Sequence, residues 1–200
     1  PSVRVVVRGR AAGWTPFDQA VTGRPYVAEA IDVDAPALVG WTSGTTSGAK
    51  GVVHSTRGVV SNPLRSARWH SWTWADRAYM PAPVAHATGL LSAIVNPVFT
   101  GASAVLRDGW DPQVAIDDIE RHGVTMTAGA AVFMRETLDA LASRGQSQLP
   151  LHGYPCGGST IPNELAEACD DAGMHPARSW GMTSWLDSTS SSALSPRAAA

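Results

Sequence analysis

The chain has 200 residues, 44% of them hydrophobic and 16% charged, with a formal net charge of −2. That size suits one domain or a piece of a larger one. There is no basic stripe to favour nucleic acid and no apolar run of about 18 residues to span a membrane.

PSVRVVVRGR, at the start, lacks the apolar core and cleavage site of a secretory signal. A first residue Pro rather than Met is expected of an excerpt or a processed chain. VRVVV (3–7), rich in β-branched residues, and ALVGW (37–41), a short apolar run, are bounded by Gly, Pro or Asp, which predicts buried strands. The segment 111–123 predicts a helix, with Asp111 as N-cap, Pro112 in the first turn and Gly123 as the stop. A strand over 124–130 and a second helix over 131–145, ending at Gly145, follow. Residues 151–158 predict a strand running into a turn. A helix over 161–173, with Pro162 near its start, and a short last strand over 177–180 complete the series. Strands alternating with helices predict an α/β fold, with a mostly parallel sheet and flanking helices. Ligands gather at the carboxyl ends of strands in such sheets, and three Gly/Ser/Thr-rich segments sit there: 42–51, 157–160 and 181–184. From Ser188 onward, STSSSALSPRAAA is of low complexity and is expected to be disordered. Cys156 and Cys169 are too few and too unpatterned for a disulfide framework or a zinc site, so a reduced, cytoplasmic setting is expected.

WTSGTTSGAKGVVHS (41–55) concentrates hydroxyls, glycines and one lysine between two strand-like segments. Freed backbone N–H groups, hydroxyl donors and an ammonium are the parts needed to hold polyphosphate. The Walker A pattern fails. Counted from Gly44, Ala49 stands where its second glycine belongs, and Gly51 where its Ser/Thr belongs. A flexible polar linker has similar composition, but the strand-like flanks hold both ends of this segment.

TSGTTSGAKGV resembles the signature loop of the adenylate-forming enzymes, the superfamily of acyl-CoA synthetases, luciferases and peptide-synthetase adenylation domains. Thr42, Ser43, Gly44, Thr45, Thr46, Lys50, Gly51 and Val52 match; Ser47 replaces the usual glycine and Ala49 the usual proline. MPAPVAHATGL (80–90) is similar to the family's P-x-x-H-x-x-G stretch. CGGST (156–160) resembles its adenine-lining segment, and SWGMTS (179–184) its [YW]-G-x-T-E motif. The motifs occur in the family's order. Over 80–142 the chain most resembles ligases joining CoA to fatty, alicyclic or aromatic acids, such as cyclohexanecarboxylate-CoA ligases.

The resemblance implies roles. The loop from Thr42 to Thr46 with Lys50 would close over the ATP phosphates, and a solvated surface lysine is the alternative for Lys50. Gly157, Gly158 and Ser159 would line adenine, though an ordinary turn has the same composition. Trp180 would stack on adenine, with Gly181 and Met182 beside it, and Thr183 would approach the α-phosphate. A core aromatic and a surface threonine are the corresponding alternatives. His86 would border the carboxylate pocket or sit as a satisfied core histidine. Ala128, Gly129 and Ala130 are small where the acyl pocket runs, a size that tight strand–helix packing equally requires. Asp111 is only a cap. Lys50 and Thr183 are the catalytic candidates.

One departure touches magnesium. Ser184 stands where the family has its metal-binding glutamate, and a neutral hydroxyl cannot replace a carboxylate toward a hard cation. Asp187 is the nearest substitute in sequence. No metal ligand is therefore assigned; ATP or AMP and CoA are the expected small molecules, with Mg2+ expected to be held only weakly without that carboxylate. By the resemblance, residues 1–187 are expected to be part of the adenylation domain. The later ribose-binding aspartate and the small C-terminal domain with its lysine have no counterpart in this chain. The expected function is activation of a carboxylic acid with ATP to an acyl-adenylate and transfer to CoA. The rival is a truncated, non-catalytic remnant that at most binds nucleotide or a partner. Apolar faces left uncovered in a slice of a domain invite self-association.

Overall fold

The computed structural model describes residues 5–6, 12–13, 15–16, 19, 30–42 and 48–183, and the backbone of 185–190; the side chains of residues 5, 6, 62 and 185–190 are not described. The chain divides into two compact units, Pro1–Asp32 and Val33–Ala200. In the first, β1 (Val5–Val6) pairs in parallel with β2 (Thr15–Pro16). Only Val5 and Val6 of the strand predicted over 3–7 are among the described residues.

The second unit opens with an antiparallel hairpin of β3 (Pro36–Thr42) and β4 (Lys50–Ser55), in which Thr42 faces Lys50. ALVGW is a strand as predicted, but not a buried one. Its alternate side chains point outward, and Trp41 is 68% exposed. The apolar run covers a two-stranded ribbon rather than a sheet interior, so one of its faces meets solvent. Helix α1 (Thr56–Trp69) follows directly, with the Ser55 hydroxyl accepting from Gly58 N at 3.2 Å as its cap.

The core is an α/β layer around a parallel sheet. Strand β5 (Arg77–Met80) pairs in parallel with β6 (Ser103–Leu106) on one side and β7 (Met126–Thr127) on the other. Parallel bridges Met126–Gly153 and Gly129–Cys156 lead on to β8 (Tyr154–Cys156). Strand β9 (Pro176–Met182) adds in parallel to β8, and β10 (Trp185–Ser190) pairs antiparallel with β9. The strand predicted over 124–130 is thus a two-residue ladder plus a bridge, and the one over 177–180 runs longer. Residues 188–190, placed in the tail by composition, belong to β10, while 191–200 lie outside the described residues.

Between β5 and β6 the chain forms α2 (Ala87–Leu90), a π-helical turn (Leu91–Val95) and α3 (Asn96–Thr100). The predicted helices appear as α4 (Pro112–His122), α5 (Ala131–Ser143) and α6 (Asn163–Asp171). Asp111 caps α4 by accepting from Gln113 N and Val114 N, and Gly123 ends it at φ 59°. These helices bury Ile116, Ile119, Met134, Leu141 and Leu165 against Tyr79, Tyr154 and Met174. Among the described residues, no helix is long and apolar enough to cross a membrane.

Candidate functional site

A cavity of about 310 Å³ opens at the carboxyl ends of β7, β8 and β9. One wall is Gly157 and Gly158, just beyond β8, with Ser179, Trp180, Gly181, Met182 and Thr183 of and after β9. The facing wall comes from His86, the start of α2, the π-helical turn and α3. Ala128 and Pro155 lie between. Parallel strands end together, so residues distant in sequence meet at this edge.

Local chemistry shapes each wall. A Cβ on Gly157 would lie 2.9 Å from the Ser179 carbonyl oxygen, so glycine lets the turn press against β9. Trp180 is 55% exposed, leaving an aromatic face open to a flat ring. The His86 side chain accepts from Thr88 N at 3.2 Å through Nδ1 and so caps α2. Gly89 lies in that short helix because a Cβ there would come within 2.1 Å of the Pro83 carbonyl oxygen. The His-x-x-Gly spacing therefore has a steric reason. The histidine starts the helix, and the glycine lets the preceding loop fold back over it.

Of the predicted site residues, the cavity brings together His86, Ala128, Gly157, Gly158, Trp180, Gly181, Met182 and Thr183. Ser159 instead accepts from Ala131 N at 3.4 Å, at the start of α5. Gly129 lies under Phe133, Pro81 and Tyr154, where a Cβ would meet Phe133 at 2.9 Å; close packing accounts for its size. Thr42 and Lys50 face each other at the loop end of the hairpin, and the Thr42 hydroxyl donates to the Lys50 carbonyl at 3.4 Å. Neither lines the cavity. Ser43, Gly44, Thr45, Thr46 and Ser184 lie outside the described residues.

Sequence reasoning missed Ser66, His70, Trp72 and Asn96, which also line the cavity. The Trp69, Trp72 and Trp74 cluster was a signal: Trp72 is buried, while Trp69 and Trp74 are exposed. Burial holds the His70 imidazole below its usual pKa.

Among the described residues no Asp or Glu lines the cavity, and the Asp187 side chain lies outside them. Among the described residues there is no group of three or more His, Cys, Asp or Glu placed to hold a metal. These residues do not fit a magnesium ion held by protein carboxylates. They do fit a planar base, through the glycine turn and the open indole.

A profile of the AMP-binding enzyme family matches residues 2–190. The medium-chain fatty-acid–CoA ligase of Escherichia coli is 32% identical over 150 residues, which cover 75% of this chain and 26% of that protein. The 2-succinylbenzoate–CoA ligase of Bacillus subtilis is 29% identical over 153 residues, covering 76% of this chain and 31% of its own length. Among solved structures, O-succinylbenzoate coenzyme A synthetase from Bacillus subtilis, in complex with ATP and magnesium ion, superimposes with a TM-score of 0.75 at 26% identity. That match covers 90% of this chain and 38% of the solved one. The chain therefore spans about a quarter to a third of the curated relatives it matches. With its fold, motif order and profile match in agreement, this chain belongs to the AMP-binding enzyme family of adenylate-forming proteins.

Proposed function

We propose that the chain provides the nucleotide- and acid-binding part of an acyl-CoA ligase. The carrying observation is the convergence of His86, Ala128, Gly157, Gly158 and Trp180–Thr183 on one cavity at the carboxyl edge of the sheet. In this reading the Trp180 indole stacks on adenine, the Gly157–Gly158 turn lies along the base edge, and the Thr183 hydroxyl donates to the α-phosphate. The loop between Thr42 and Lys50 covers the β- and γ-phosphates, with the Lys50 ammonium as its charge.

The reaction has two substitutions. A carboxylate oxygen of the acid attacks the α-phosphorus and pyrophosphate leaves, which gives the acyl-adenylate. The CoA thiolate then attacks the acyl carbon and AMP leaves, which gives the thioester. The protein's part in the first step is to hold the two reactants in line and to neutralise the leaving pyrophosphate. No step is assigned to a protein-held metal.

The experiment has a binding arm and a turnover arm. ATP titrated into the 200-residue chain should quench Trp180 fluorescence, and Trp180→Ala should abolish that signal. A protein carrying this chain at the full length of its relatives should release pyrophosphate with at least one member of a carboxylic-acid panel. No binding in the first arm and no release in the second would sink the reading.

A further inference from the structure

We infer that the Trp72 indole closes the acid-binding side of the cavity and so limits the length of the apolar tail an acid can carry. This rests on the reading of the cavity as the acid and nucleotide site.

The sheet places Trp72. Alternate residues of a strand point to one face, and the register sets Ala104, Ala78 and Met126 side by side across β6, β5 and β7. Trp72 packs on this row. It forms one buried cluster with Ala78 and Met126, and Ala67, Ala102 and Ala104 pack against it. Two residues further toward the carboxyl edge, on the same face, Met80 and Ala128 pack instead with Ala93 of the π-helical turn. Ala128 lines the cavity, whereas Ala78, Ala104 and Met126 do not. The open space thus runs over the carboxyl half of this face and stops where the indole covers the amino half. Trp72 is itself a lining residue, only 6% exposed.

The neighbours of the indole make it the limiting group. Four of the five residues in its cluster, Ala67, Ala78, Ala102 and Ala104, are alanines, so the ring is the bulk that fills this space. Taking it away would leave an apolar extension of the cavity, of the kind that accepts an apolar guest. Its N–H has no hydrogen-bond partner among the described residues, so an apolar replacement strands no acceptor. The wall opposite the sheet is tied across α1 and α3 by Asn96 Nδ2, which donates to the Ser66 hydroxyl at 3.0 Å. A tail lying along Ala87, Leu91 and Ala128 gains affinity with each methylene it buries. A methylene pressed against the packed ring gains none, because a filled core resists added volume.

The test is a series of straight-chain alkanoates, lengthened one carbon at a time and titrated calorimetrically into the 200-residue chain with AMP present. Affinity should rise about three- to fourfold per carbon up to one length and fall beyond it. In Trp72→Ala that limit should move outward by about two carbons or more, with AMP affinity unchanged, because the lost side chain is much larger than one methylene. Trp72→Leu opens less space, should move the limit by about one carbon, and serves where the alanine variant fails to fold. Affinity that climbs without a limit in the unaltered chain overturns the inference. So does a limit that stays in place in a folded Trp72 variant, and so does an equal loss for every acid, which is what a purely structural tryptophan would give. In those cases this inference alone falls. If AMP binds but no alkanoate does, the acid reading of the cavity falls and takes this inference with it. If AMP fails to bind, the nucleotide reading falls as well.

Discussion

His54 and Thr183, 129 positions apart in the chain, are joined by a hydrogen bond of 2.8 Å from the His54 ring Nε2 to the Thr183 carbonyl oxygen. Gly40 completes the seat, since a Cβ there would lie 2.9 Å from the Thr183 methyl group. The hairpin that carries Lys50 is thereby fastened to the end of β9, beside the cavity.

That fastening predicts a difference between two nucleotides. His54→Leu removes the ring donor and should weaken ATP binding about fivefold, the effect of one net hydrogen bond. AMP, which lacks the phosphates assigned to the hairpin, should lose less. Titrations of both nucleotides into the variant decide the matter. Equal losses would mean the hairpin does not meet the outer phosphates.

Gly89→Ala should destabilise the fold by about 2–3 kcal/mol, toward the upper end for single substitutions, because the added methyl collides with backbone rather than a movable side chain. Urea unfolding measures the loss. A change within error would mean that the loop over 81–86 relaxes freely.

Acid sensitivity should come largely from two buried carboxylates. Burial raises the Asp76 pKa, but hydrogen bonds from Thr125, from the backbone and hydroxyl of Thr73, and from His152 together bring it below the ordinary value of 3.8. Asp118 is lowered first by the hydrogen bonds from Arg107, at 2.5 and 2.8 Å, against the opposing effect of burial. Below an ordinary aspartate pKa the unfolded chain binds more protons than the folded one. The contribution is therefore fully present above about pH 4 and is lost as the pH falls through the lowered folded values. Urea unfolding free energies from about pH 5 down to about pH 3 should decline, and more shallowly in Asp118→Asn. Parallel declines in variant and parent would contradict the assignment.

The two cysteines should be silent in the folded protein. Burial pushes the Cys156 thiol up to about 11. Burial, and next the neighbouring Cys156, pushes Cys169 up to about 12. Little thiolate is available near neutral pH, and both side chains are inaccessible. Iodoacetamide should label neither until urea unfolds the chain, with mass spectrometry as the readout. Rapid labelling of the native chain would show that α6 and β8 open readily.

Helices α4, α5 and α6 were legible to within a residue or two because their signals are local: Asp111 and Pro112 at one start, and Gly123, Gly145 and Gly173 just past the ends. The glycine turn at 157–158 and the Trp180–Thr183 strand end were legible too, since a strand followed by small residues can be recognised one segment at a time. The environment of β3 was not. Its apolar run matches a buried strand, and only the partner it meets, a single antiparallel neighbour, leaves Trp41 in solvent.

The chain's own order of residues thus settled α4, α5 and α6, the strand–turn at 154–158 and the motifs that place it in its family, because each depends on groups a few positions apart; the elements over 56–106 were not predicted. Folding alone decided which side chains share the cavity. Trp72 and Asn96 on one wall, and His54 against Thr183, are brought together by the packing of α1 on α3 and of the hairpin on β9. Such contacts close long loops, and no short-range pattern in the residues encodes them.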